Sequence, residues 1–214
     1  MLCSVKYWDA ALFVIKEKCA ENFLLKTIIY RTNSAIGRGI RGRENVRVQW
    51  NRNSKLSYTP QFLTLDNTPW FPLMGEIHYS RVSNGRWEEE LYKMKAGGIE
   101  LVSAYTIWIH HEEVEGEWDF SGDRDLRKFL QTIKNCGLHC ILRIGPWAHG
   151  EVRNGGFPDW LMQKEKEGQL VTRTNDPKYL RYVREFYGKI AEQARGLLLS
   201  DDGPVAMIQI ENEY

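Results

Sequence analysis

From about residue 60 the sequence alternates four times between an apolar run of strand length and an amphipathic segment of helix length, and no other feature restricts the fold as much. Parallel strands need long crossover connections, and a helix laid on the sheet with a right-handed turn is the usual one. Within "FLTLDNTPWFPLMGEIHY", residues 62–65 and 71–79 read as extended, with a turn at "DNTP". "IELVSAYTIW", "LHCILRIG" and "VAMIQI" supply the later strands.

Three helices fall between them. "RWEEELYKMKAGG" sets Trp87, Leu91 and Met94 on one face and stops at Gly97-Gly98. "DRDLRKFLQTIKNCG" has the stripe Leu126, Phe129, Leu130 and Ile133 and an exit at Gly137. "NDPKYLRYVREFYGKIAEQARGLL" opens with Asp176 suited to the N-cap and Pro177 to the first helical turn. Its stripe is Tyr179, Leu180, Val183, Phe186, Tyr187, Ile190 and Ala191. Residues 146–174 read as one long loop.

This is an α/β chain, either an open doubly wound sheet or part of a (β/α)8 TIM barrel. No GxGxxG or GxxxxGK[ST] opens any helix, and "GRGIRGR" follows no strand, so phosphate cradling has no support. The strand ends carry chemistry instead: Glu76, His78 and Tyr79; Tyr105, Trp108 and His110; Trp147, His149, Glu151 and Arg153; then Glu211, Asn212 and Glu213. Polar and aromatic groups gathered at carboxyl ends describe the catalytic face of a barrel.

Composition excludes little. The 214 residues are 43% hydrophobic and 27% charged, enough for a sizeable core, and a net charge of +1 points to no nucleic-acid partner. No stretch reaches the roughly 20 apolar residues of a membrane span. Cys3, Cys19, Cys136 and Cys140 match neither a disulfide framework nor paired CxxC zinc spacing and read as free thiols. Residues 1–59 read as a leader, an amphipathic helix over 7–28 followed by a basic linker, with 60–214 as the folded unit. "AALFVI" is too short for a signal-peptide core, and the compartment and oligomeric state stay open.

Carboxylates beside aromatics suit sugar chemistry. Rings offer flat platforms to the C–H faces of a pyranose, carboxylates and amides bind its hydroxyls, and glycosidic cleavage takes two carboxyl groups. "HHEE" (His110, His111, Glu112, Glu113) lacks the HExxH pattern and reads as structural or sugar-lining, so no metal or cofactor is expected. His78 reads as a hydrogen-bonded interior histidine, Trp87 and Met94 as core, and Arg143 as paired within the sheet.

"WFPLMGEIHYSR", "AYTIWIHHEE", "RIGPWAHGEVRNGGFPDWL" and "GPVAMIQIENEY", in this order, resemble the catalytic domain of glycoside hydrolase family 35, the β-galactosidase family. The resemblance runs from Phe62 to Tyr214. It implies a (β/α)8 barrel and retaining removal of terminal β-galactose, with a β-galactoside as the partner. By the resemblance Glu213 is the acid/base and Asn212 binds the sugar 2-hydroxyl. Tyr105 lines the pocket, and Glu151 holds sugar hydroxyls beside His149 and Gly150. The sequence departs from the family at His149, where Cys or Asn is usual, and in "TIWIHHEE", where Pro and Asn are usual.

For Asn212 and Glu213 both to face one sugar, the strand must end or bulge there, leaving Glu211 in support. The family's nucleophile is a Glu at the seventh strand, and four strands are legible here. The expectation is therefore the N-terminal half of a barrel, inactive alone. The competing readings are a catalytically inactive carbohydrate-binding half-barrel and an unrelated α/β hydrolase or deacetylase, the latter disfavoured by the lack of G-x-S-x-G.

Overall fold

The computed structural model describes residues 56–213. The expected leader helix and basic linker, and Cys3 and Cys19, lie outside them. Two sheets are present: an antiparallel sheet of β1 (Leu56–Tyr58), β2 (Leu63–Leu65) and β3 (Thr68–Trp70), and a parallel sheet of β4 (Met74–Glu76), β5 (Leu101–Tyr105), β6 (His139–Arg143) and β7 (Val205–Gln209), ordered as in the sequence. Of the two arrangements that four strand–helix alternations allow, parallel neighbours in sequence order are the one a barrel has, not a doubly wound sheet.

The first strand region differs from expectation. The turn is two residues, Asp66 and Asn67, both with positive φ, and Thr68–Trp70 forms β3 instead of completing the turn. Asp and Asn tolerate the left-handed region that a tight hairpin needs, and Pro69 is accommodated because β3 is an edge strand. The antiparallel sheet starts at Leu56, ahead of the expected boundary at residue 60. It packs Leu56 and Trp70 against Leu101, Ile141, Ala206 and Met207, and Trp70 Nε1 donates to Glu100 at 3.0 Å. It thereby covers the amino ends of β5 to β7.

The crossovers are α1 (Trp87–Ala96) and α3 (Leu126–Asn135), and α5 (Pro177–Ala194) precedes β7. Leu126, Phe129, Leu130 and Ile133 are all buried, as their spacing requires. The Asp176 carboxylate accepts from the Lys178 and Tyr179 amides, which caps α5. On α5 the buried face takes in Tyr182 and Ala194, while Leu180 and Ala191 are only partly covered. The helices pack on one face of the sheet, against Val102, Ala104, Cys140, Leu142 and Val205. Cys136 and Cys140 are buried free thiols, and burial pushes both above the ordinary thiol range.

Periodicity passed over two helices: α2 (Trp108–His111), just after β5, and α4 (Asp159–Lys166), within the long loop. Each is short, which leaves too few turns for a stripe to repeat.

Candidate active site

On the face away from the helices, β5, β6 and β7 place Tyr105, Arg143 and Gln209 in one lateral row, because Tyr105 pairs with Arg143 and Arg143 with Gln209 in register. Glu76 sits beside Ser103 one step toward β4. Side chains two residues apart on a strand share a face, so this face carries apolar Leu101, Ile141 and Met207 low down and polar groups at its carboxyl end.

Arg143 organises the row. Its Nη1 donates to Glu76 Oε2 at 2.5 Å, its Nη2 to Asn212 Oδ1 at 2.7 Å, and its guanidinium carbon lies 3.7 Å from the centre of the Tyr105 ring. Ser103 Oγ donates to Glu76 Oε2, and His78 Nε2 donates to Glu76 Oε1 at 3.1 Å while Arg81 donates to His78 Nδ1. Burial alone would raise the Glu76 carboxyl, but the bonds from His78, Ser103 and Arg143 outweigh it and hold it below the usual range. The partners expected for Arg143 and His78 are thus one carboxylate.

Strand β7 ends at Gln209, before the acidic group. Glu211 and Glu213 both have positive φ, so the backbone departs from extended geometry and Asn212 turns back toward the row. Asn212 Oδ1 accepts from Tyr105 Oη at 2.9 Å, from Arg143, and from Gln209 Nε2 at 3.4 Å. With three donors on the oxygen, the NH2 group faces away from them and has no partner among the described residues. Burial raises the Tyr105 hydroxyl, Arg143 opposes that, and the charges of Glu76 and Glu213 add to it, so Tyr105 stays a donor. Glu213 is exposed, and its charge acts on Tyr105.

The other expected residues lie on the loop after β6. His149 and Glu151 are exposed with positive φ, and Arg81 Nη2 donates to the Glu151 carbonyl at 3.1 Å. Gly150 sits so close to His78 that a Cβ would meet its Cε1 at 3.3 Å, and the His78 ring meets Tyr105 edge-on at 5.5 Å. The loop therefore joins the row through His78. Behind it, Gly155 backs directly onto Trp147, where a Cβ would overlap the indole at 2.4 Å.

Glu211 is 2% exposed and paired: Arg173 Nη2 donates to its Oε2 at 2.9 Å. Sequence reasoning missed Arg173, which stands in the aperiodic stretch "LVTRTND"; an isolated arginine beside a capped helix start was its only signal. Within "HHEE", His111 and Glu112 are built into the packing, while Glu113 is exposed. Tyr79 Oη donates to His111 Nε2 at 2.6 Å, His111 Nδ1 donates to the Asp119 carbonyl at 2.9 Å, and the Glu112 carboxylate accepts from Trp108 Nε1 and the Gly116 amide. Among the described residues no group of three or more His, Cys, Asp or Glu stands together as metal ligands, and no helix is long and apolar enough to cross a membrane.

A parallel α/β sheet whose carboxyl ends gather carboxylates, an oriented amide and an arginine–tyrosine stack has the layout of an enzyme site that binds a polar substrate. The chain belongs to the glycosyl hydrolases family 35, whose family model matches residues 62–214. It is 37% identical to the β-galactosidase of Mus musculus over 163 residues, which are 76% of this chain and 25% of that protein. It is 36% identical to the β-galactosidase of Xanthomonas manihotis over 149 residues, 70% of this chain and 24% of that protein. The chain thus spans about a quarter of the length of the curated relatives it matches. The crystal structure of β-galactosidase from the psychrophilic Marinomonas ef1 covers 67% of this chain with 22% of its own, at 20% identity and a TM-score of 0.49.

Proposed function

We propose that residues 60–214 belong to a (β/α)8 glycosidase barrel, with 1–59 as a leader to which no function is assigned, and that the site hydrolyses terminal β-D-galactosides with retention. Glu213 gives a proton to the departing oxygen and later takes one from water; Asn212 donates its NH2 to the sugar 2-hydroxyl; Tyr105, His149, Gly150 and Glu151 line the pocket. The observation that carries this reading is Asn212, whose oxygen is saturated by three donors and whose NH2 is left to a ligand beside exposed Glu213. In this reading the second carboxyl, the nucleophile, comes from a later strand. Retention needs the two carboxyl groups about 5–5.5 Å apart across the anomeric carbon.

In the full-length protein that carries these residues, Glu213→Gln is expected to slow alkyl β-galactosides far more than activated aryl β-galactosides. A good leaving group departs without protonation, so in the first step, which kcat/KM reports, loss of the acid hurts mainly the difficult substrate. The ratio of kcat/KM on the two substrates measures this, and equal losses would remove Glu213 as the proton donor.

A further inference from the structure

We propose that Arg173 is the positioning residue that holds Glu213 in its donor geometry, an inference that rests on the reading of Glu213 given above. Its guanidinium grips the acidic segment at four points. Nε and Nη2 donate to the two oxygens of Glu211 at 3.3 and 2.9 Å, and Nη2 reaches the carbonyls of Asn212 at 3.0 Å and Glu213 at 3.5 Å. The flat group also lies over Trp147, 4.9 Å from the ring centre.

Glu211 is the other half of the device. Its carboxylate accepts the Asn212 amide at 2.9 Å, its own amide donates to the Gly145 carbonyl at 2.6 Å, and its carbonyl accepts from Gln209 Nε2. Tyr187 of α5 donates to the same Gly145 carbonyl. A buried carboxylate so engaged is fixed in place, and a planar guanidinium facing it transmits that fixity to the two residues that follow.

The segment needs such a hold, because Glu211 and Glu213 both occupy the left-handed region that residues other than glycine avoid. Strained backbone at a site persists only where its surroundings over-determine it. Arg173 is itself at φ 52 and is anchored from both sides: Thr172 donates through N and Oγ1 to Glu165, the Val171 amide donates to Asp176, and Leu170 is buried. The strap thus runs from α4 and the cap of α5 to the end of β7, and it touches Glu213 only through backbone, so it acts on the donor and not on the sugar.

The test uses Arg173→Ala and Arg173→Lys in the full-length protein, with Glu213→Gln measured beside them. Arg173→Ala is expected to lower kcat/KM on an alkyl β-galactoside on the order of 100-fold, the cost of misplacing a catalytic group by about an ångström; kcat/KM covers only the steps up to the glycosyl-enzyme, in which Glu213 is the donor. The loss on an activated aryl β-galactoside should be much smaller, and added guanidinium should restore part of the alkyl activity. Arg173→Lys keeps the charge without the fork and should stay impaired; should Arg173→Ala not accumulate folded, Arg173→Lys carries the same comparison. Equal losses on both substrates in the Arg173 variants, with Glu213→Gln showing the leaving-group dependence, would overturn the inference. Absence of that dependence in Glu213→Gln itself would instead overturn the donor assignment.

Discussion

His111 makes the folded chain sensitive to mild acid, and the size of the effect follows from its surroundings. The ring is fully buried, stacked on Phe120 at 4.4 Å, and bonded at both nitrogens: Nε2 accepts from Tyr79 and Nδ1 donates to the Asp119 carbonyl. Burial pushes its pKa down to about 4 from 6.5; the Asp119 carbonyl opposes this, and the charges of His110 and Arg124 add to it. Between those two values the unfolded chain takes up a proton that the folded chain refuses. Stability is therefore intact above the unfolded value, falls as the pH drops toward the folded one, and levels off beneath it. The whole window is worth roughly 3 kcal/mol, of which about 2 kcal/mol is gone between about pH 7 and about pH 5. Carboxylates held low, such as Glu76 and Asp119, lose their contribution only at lower pH, below the ordinary carboxylate range. Denaturant midpoints of the full-length protein and of His111→Asn at the two pH values isolate the ring. The variant is expected to be less stable at neutral pH and to lose much less across the interval, keeping the smaller slope of His110, whose pKa burial also lowers. An equal drop in both proteins would refute the assignment of the pH dependence to His111.

Two further outcomes are expected. Arg143→Lys, which cannot bond Glu76 and Asn212 and stack on Tyr105 together, should cost about 1.5–3 kcal/mol per lost charged bond, or at least tenfold in kcat/KM for a β-galactoside; an unchanged value would mean that Asn212 is oriented without Arg143. A polypeptide confined to these 214 residues should turn over an aryl β-galactoside no faster than its Glu213→Gln variant and should self-associate in sedimentation, because β4 and β7 are edge strands and Phe71, Leu73 and Met74 are exposed; robust activity lost on that substitution would place the nucleophile within these residues.

What the sequence made legible was what repeats or caps. The stripe of Leu126, Phe129, Leu130 and Ile133 and the Asp176-Pro177 start are local signals, and both helices stand where those signals put them. That β4 to β7 run parallel followed from alternation; their sequential order did not, since an open doubly wound sheet alternates too. Pairing was not legible, since Arg143 meets Glu76 and Asn212 across 67 and 69 residues of chain, a meeting set by strand register and by the bend after Gln209. Arg173 was hidden for the same reason, 38 residues from Glu211 in a stretch without period. Helix α4 escaped because its eight residues give two turns, though Pro158 before it and Gly168 after it are stop signals that bracket a helix.

The strain in the backbone is distributed in a way that bears on function. Of the nine described residues other than glycine with positive φ, Asp66 and Asn67 make a hairpin turn and Asp202 a turn ahead of β7. The other six, His149, Glu151, Asn154, Arg173, Glu211 and Glu213, fall on the loop after β6, on the loop before α5 and at the end of β7. Each such residue costs about 1–3 kcal/mol. A chain under selection for stability alone would place at these points glycine, which has no Cβ to clash with the carbonyl oxygen, or asparagine, whose short side chain offsets the clash by bonding locally. Asn154 follows that rule, but three carboxylates, an imidazole and a guanidinium stand at the other five, and the segments are tied down by other groups: Arg81 on the Glu151 carbonyl, His78 against Gly150, Arg173 across Glu211 to Glu213. Side chains that make the backbone costly, at the ends of parallel strands and braced by three arginines including Arg143, are more economically explained by what they bind than by what they stabilise.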